Sequence, residues 1–163
     1  MPRSPSLRLS VLPLLVSCLV ASGALAREAG DTGLRLLHPF ATPTPPGAPN
    51  GAAYIDITAG EEDVSLVGAS SSVSEVVEIH DMSMEDGVMR MRRLERLDVA
   101  AGETLMMRPG GGEHLMLIGL EQSLQVGDRF PITLEFAERD SVTLEVQVRE
   151  AGEEGQAAGQ HGH

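Results

Sequence analysis

Seven internal methionines, at positions 82, 84, 89, 91, 106, 107 and 116, crowd into 35 residues, with His80 and His114 at the edges of the same window. Thioether sulfur and imidazole nitrogen without carboxylates suit a soft ion, and Cu(I) is the first candidate. Zinc rarely takes methionine. A thioether carries no proton to exchange, so such a site keeps its sulfur donors in mildly acid surroundings. Alternate residues of a strand project to one face, so His114 and Met116 point together, as do Met89 and Met91. His80 and Met91 bracket a hairpin and are expected across from one another on neighbouring strands. One imidazole and one thioether from each of two hairpins would make an N2S2 set. The competing reading is packing: methionine is a flexible filler and can stand in for Phe and Leu where aromatics are few. That is the reading for Met106 and Met107. His80-Asp81-Met82-Ser83-Met84 and Met89-Arg90-Met91 flank the acidic turn Glu85-Asp86-Gly87, where side chains meet solvent.

The elements that must position these residues read as strands. Alternating or β-branched runs cover 52–58, 64–69, 73–80, 88–94, 104–107, 114–120, 132–137 and 142–148. Turn signals separate them at Pro45-Pro46-Gly47, 60–63, Glu85-Asp86-Gly87, 109–112, Gly127-Asp128 and Arg139-Asp140. Short strands at near-regular spacing indicate an all-β fold, an antiparallel sandwich or small barrel. Val142, Leu144, Val146 and Val148 fall on one face of the last run, which should be the core face. Residues 42–49 read as an extended, proline-rich lead-in. No helical stripe of convincing length and no internal repeat is present.

Composition removes other classes. A chain of 163 residues suits one domain. All 12 basic residues are arginines against 24 acids, a net charge of -12, so there is no surface to grip a phosphate backbone and nucleic acid is excluded as a partner. Residues 1–26 carry Arg3 and Arg8, an apolar run and a terminal Ala24-Leu25-Ala26, the pattern of a secretory signal peptide. Leu15-Val16-Ser17-Cys18 offers a second processing route, a lipoprotein box with Cys18 as the lipidated first residue. Cleavage after Ala26 removes two arginines and no acid, taking the charge from -12 to -14, and removes the only cysteine. The exported chain would then hold no thiol, which argues against a blue-copper electron-transfer site. No nucleophile elbow, His-Glu-x-x-His helix or paired-carboxylate constellation is present, and an enzyme is not expected.

His80, Asp81-Met82, Gly87-Val88-Met89-Arg90-Met91, Pro109-Gly110-Gly111 and His114-Leu115-Met116-Leu117 together resemble the bacterial periplasmic copper chaperones of the PCuAC (DUF461) family. The family's signature is a histidine, ten residues, a methionine, twenty-one residues, then His-x-Met. Here ten residues separate His80 from Met91 and His114-x-Met116 is intact, but the middle spacer is 22 residues. The extra residue belongs in a loop, at 92–96 or 110–113, and leaves open whether Met89 or Met91 faces the metal; Met91 is the expectation. Weaker likeness runs through His38-Pro39-Phe40 and Gly51-Ala52-Ala53-Tyr54 and on through the last strands, covering 35–149.

The resemblance implies a cupredoxin-like antiparallel β-sandwich or Greek-key barrel over 27–150. It implies Cu(I) binding through His80, Met91, His114 and Met116, with Met89 and Met82 as candidate additional donors, and the chain is expected to be a monomer. It also implies delivery to the copper subunit of cytochrome c oxidase or to another copper chaperone in the periplasm. Some members carry a histidine-rich tail that binds Cu(II). The segment 151–163, expected to be disordered, ends Gln160-His161-Gly162-His163; His161 and His163 are a short version of such a tail, or an accidental polar terminus. His38 reads as structural. Arg90, Arg92, Arg93 and Arg96 form the one basic cluster, a solvated strand face or a docking patch beside the ligands. The alternative from another class is a metal-free exported β-sandwich interaction or adhesion module in which the methionines are packing.

Overall fold

The structure, a computed structural model, describes residues 33–152. The leader expected at 1–26, with Cys18, and the tail histidines His161 and His163 lie outside the described residues. Among the described residues there are ten strands and no helix: β1 Arg35–Ala41, β2 Asn50–Thr58, β3 Val64–Ser71, β4 Ser74–Glu85, β5 Val88–Leu94, β6 Leu97–Val99, β7 Thr104–Met106, β8 Gly112–Leu120, β9 Arg129–Phe136 and β10 Arg139–Val148.

Seven of them close a barrel in the order β4-β8-β2-β1-β10-β9-β3, with Ala69 on β3 paired to Val77 on β4. Of the expected sandwich or Greek-key barrel, the closed barrel is the form present, antiparallel throughout except for the parallel β1–β10 pair. Strand β4 does two jobs. Its first half seals the barrel against β3, and its second half, from Ile79 onward, carries β5 as a hairpin arm. The short β6 and β7 pair with β3 and β2.

The alternation expected of the last run holds: Val146 and Val148 are buried while Thr143, Glu145 and Gln147 are exposed. They meet Leu115 and Leu117 of β8, Ile55 and Ile57 of β2, Val77 and Ile79 of β4 and Ile132 and Leu134 of β9 in one core. Each such aliphatic side chain contributes about 1.5–3 kcal/mol on burial. Met107 belongs to this core, fully buried as a filler, but Met106 does not and is 62% exposed.

Four expectations need correction. Strand β1 was not foreseen, because His38 takes a left-handed backbone (φ 52°) and Pro39 follows it. The pairing of β1 with β2 shifts register across that bulge, so the sequence reads as broken where the strand continues. Strand β6 has only three residues, too few to show a period. Residues 42–49 are a connection between β1 and β2, tied by Thr44, whose N–H donates to Leu124 O and whose hydroxyl accepts from Leu124 N. The turn assigned to Arg139-Asp140 falls at 137–138, and those two residues open β10 instead.

Candidate metal centre

Strand β4 and strand β5 are joined by a two-residue loop, Asp86-Gly87, with φ of 52° and 77°. Two positive φ values give the primed turn whose twist suits a tight hairpin, and they demand residues such as Asp and Gly. The loop fixes Glu85 opposite Val88, and hence Met84 opposite Met89, Met82 opposite Met91 and His80 opposite Arg93. His80 and Met91 are thus diagonal neighbours rather than directly opposed, a correction that the Asp-Gly loop itself could have supplied. On the other side of β4, His80 lies opposite His114 and Glu78 opposite Met116.

Paired residues share a face, so one outward face of the β5-β4-β8 sheet carries Met89, Met91, Met82, Met84, His80, His114 and Met116. The opposite face carries Val77, Ile79, Leu115 and Leu117 into the core. Every ligand candidate among the described residues is brought together on this surface. Their exposure is graded. His114 is 4% exposed, His80 and Met116 are half-buried, and Met89 and Met91 are nearly half exposed. The histidines sit inside strands and the accessible donors are on the hairpin arm.

The two imidazoles meet edge to face with centroids 5.8 Å apart. A row of rings continues from them across the sheet: His114 to Tyr54 at 6.4 Å and Tyr54 to Phe40 at 5.0 Å, with the Arg149 guanidinium over Phe40. Two of the chain's four aromatics thus form a wall beside His114. Burial holds the His114 pKa below the usual histidine value, reinforced by His80 and only partly countered by the Gly112 carbonyl and Asp81. That favours the neutral ring a metal needs.

Hydrogen bonds decide which nitrogen is available. A carboxylate can only accept, so His80 Nε2–H donates to Glu78 Oε2 at 2.8 Å, and the neutral ring carries its lone pair on Nδ1. That Nδ1 is shut off from solvent and has no hydrogen-bond partner among the described residues. An orphaned buried acceptor on a strand face that also carries the thioethers fits a metal ligand. His114 Nδ1–H points to Gly112 O at 3.4 Å, a long contact that leaves the lone pair on Nε2. Glu78 is held on its other oxygen by Arg93 Nη1 at 3.1 Å. Among the described residues there is no group of three or more His, Cys, Asp or Glu side chains placed to hold a metal ion.

The basic cluster is dispersed. Arg90 and Arg92 point to the face opposite Arg93 and pair with Glu85 and Asp81, while Arg96 pairs with Asp98. His38 Nδ1–H donates to Asp56 at 2.9 Å, and Arg108 grips both oxygens of the same carboxylate. Burial alone would raise the Asp56 pKa, but these two partners outweigh it and hold the carboxyl below its usual value. Arg108 opens the 108–111 turn that leads into β8, so this clamp anchors the approach to His114. Glu78 and Asp56 were not singled out by sequence, and Tyr54 entered only within the weaker likeness at Gly51-Ala52-Ala53-Tyr54; the strand register places them here.

The family described as "Putative lipoprotein LpqE-like" matches residues 34–148. A relative from Leifsonia xyli subsp. xyli, "Putative lipoprotein Lxx21020", is 31% identical over 101 residues, 61% of this chain, and the chain spans 60% of that relative's length. Among solved structures, the copper-bound PCuAC domain from PmoF2 is similar at TM-score 0.60 and 20% identity, over 72% of this chain and 92% of that domain. The Cu(I) form of DR1885 from Deinococcus radiodurans is similar at TM-score 0.53 and 28% identity, over 80% and 89% of the two chains. With a barrel of the PCuAC form, the His-Met spacing and a family match across all ten strands, the chain belongs to the LpqE-like family, the PCuAC (DUF461) proteins.

Proposed function

We propose that this chain is an exported copper chaperone that binds one Cu(I) through His80, Met91, His114 and Met116 and passes it to a partner protein. The observation that carries this reading is the pair of opposed imidazoles on a face that also carries the thioethers, with His80 Nδ1 buried and unpartnered among the described residues. Neutral nitrogen and sulfur donors satisfy Cu(I) without a thiolate. Copper-bound relatives of the same fold support the choice of metal. The graded exposure suits transfer: the recessed histidines retain the ion while Met91, or Met89 two residues away on the same face, can be displaced by an incoming ligand. Met82, directly opposite Met91, is a reserve donor.

The acceptor we propose is the copper site of cytochrome c oxidase or a second chaperone serving it, and the role is binding and transfer, with no catalytic step. The lipoprotein descriptions of the family and of the Leifsonia relative support export and bring forward Cys18 as the anchored residue. Titration of the purified chain with Cu(I) against a competing chelator tests the reading. The wild type should take up one equivalent, and the double variant His114→Ala/Met116→Ala should bind more than about a hundredfold more weakly, beyond the range for loss of a supporting residue. Equal affinity in the two proteins would contradict the ligand set, and no uptake by the wild type would contradict the function.

A further inference from the structure

We propose that Glu78 is the positioning residue of this centre: it fixes His80 in the tautomer that presents Nδ1 to the metal. This rests on the Cu(I) reading above. Glu78 and His80 are two apart on β4 and so project to the same face, and Oε2 accepts from His80 Nε2 at 2.8 Å. A hydrogen-bonded Nε2–H leaves the ring only Nδ1 with which to ligate, and Nδ1 is the atom found buried and without a partner among the described residues. The carboxylate is in turn immobilised, because Oε1 is engaged by Arg93 Nη1 at 3.1 Å. With both oxygens occupied, Glu78 acts through His80 and not as a ligand.

The geometry is that of a guanidinium, a carboxylate and an imidazole in series across two strands. Arg93 stands opposite His80 on β5, and its guanidinium reaches diagonally to Glu78, so the relay depends on the register set by the Asp86-Gly87 loop. Without the carboxylate, His80 would exchange between its two neutral tautomers and rotate about its side-chain torsions. Supporting hydrogen bonds of this kind raise ligand basicity and typically change metal affinity about 10–100-fold. Glu78 is only one-fifth exposed and Arg93 two-thirds exposed, so the carboxylate is recessed under its partner and protected from exchange with water.

Two readouts on Glu78→Ala and Glu78→Gln test the assignment. Nitrogen-15 chemical shifts of His80 in the metal-free protein should show the Nε2–H tautomer in the wild type and in Glu78→Gln, whose amide oxygen still accepts, and a mixture in Glu78→Ala. Cu(I) affinity should fall about 10–100-fold in Glu78→Ala and be largely restored in Glu78→Gln. A wild-type tautomer in Glu78→Ala with unchanged affinity would overturn the role of Glu78 while leaving the copper centre standing. Absence of Cu(I) uptake by the wild type itself would instead remove the centre on which the role depends.

Discussion

The β9–β10 and β4–β5 hairpins obey the same rule of alternation and put opposite chemistry on their outward faces. On β9–β10 the outward side chains satisfy each other: Thr133 and Thr143 share a hydrogen bond of 2.8 Å, and Arg129 donates to Glu145 at 2.7 Å. Their inward partners, Ile132, Leu134 and Val146, are fully buried. On β4–β5 the outward face holds Met82, Met84, Met89 and Met91, exposed or half-exposed side chains with no hydrogen bonds to trade and no core to fill. A packing role accounts for Met107, which the core encloses; it does not account for thioethers held in solvent beside two histidines. The lesson is that methionine content decides nothing until the face is known.

That contrast can be broken by exchanging one residue from each hairpin. Leu134→Ala, on the inward face of β9, should destabilise the fold by about 2–5 kcal/mol through the cavity it leaves, and leave Cu(I) affinity unchanged below the melting temperature. Met91→Leu, on the outward face of β5, should do the reverse: stability within about 0.5 kcal/mol of wild type but a Cu(I) affinity measurably reduced. Chemical denaturation and chelator competition on both variants read the pair. A Met91→Leu protein that loses stability instead of copper would return this face to packing.

A smaller effect sharpens the boundary of the site on β2. Asp56→Asn should cost about 2 kcal/mol at neutral pH, the worth of hydrogen bonds to charged partners, since Arg108 keeps partial access to water. The folded-state pKa of Asp56 is lowered. Its contribution is therefore present above the unfolded carboxyl value of about 3.9 and is lost as pH falls through the lower folded value. Wild type and Asp56→Asn should converge in stability as pH drops below that range, and a gap that persists unchanged into strong acid would contradict the clamp.

Much of the fold was legible because amphipathic strands advertise their period. Residues 142–148 were legible with their core face, since Val or Leu alternates there with polar residues without interruption, and 88–94 was delimited to the residue by the acidic turn that precedes it. Strand β1 was not, because a bulge at His38-Pro39 breaks the pattern while the pairing continues. The candidate ligands were visible as residue types at a spacing. Their mutual placement was not: whether His80 faces Met91 or Arg93 is a matter of register, set by the number of residues in one turn. Glu78 was invisible for the same reason, as one acid among 24 whose meaning comes from a neighbour on the same face and a partner on the next strand.

On the proposed function, this outward face holds Cu(I) by nitrogen and sulfur together. X-ray absorption at the copper edge of the Cu(I)-loaded chain, spanning residues 27–163, tests it most directly by counting neighbours by element. A mixed shell with both imidazole nitrogen and thioether sulfur is expected; a shell of oxygen and nitrogen alone, with no sulfur, would rule this site out.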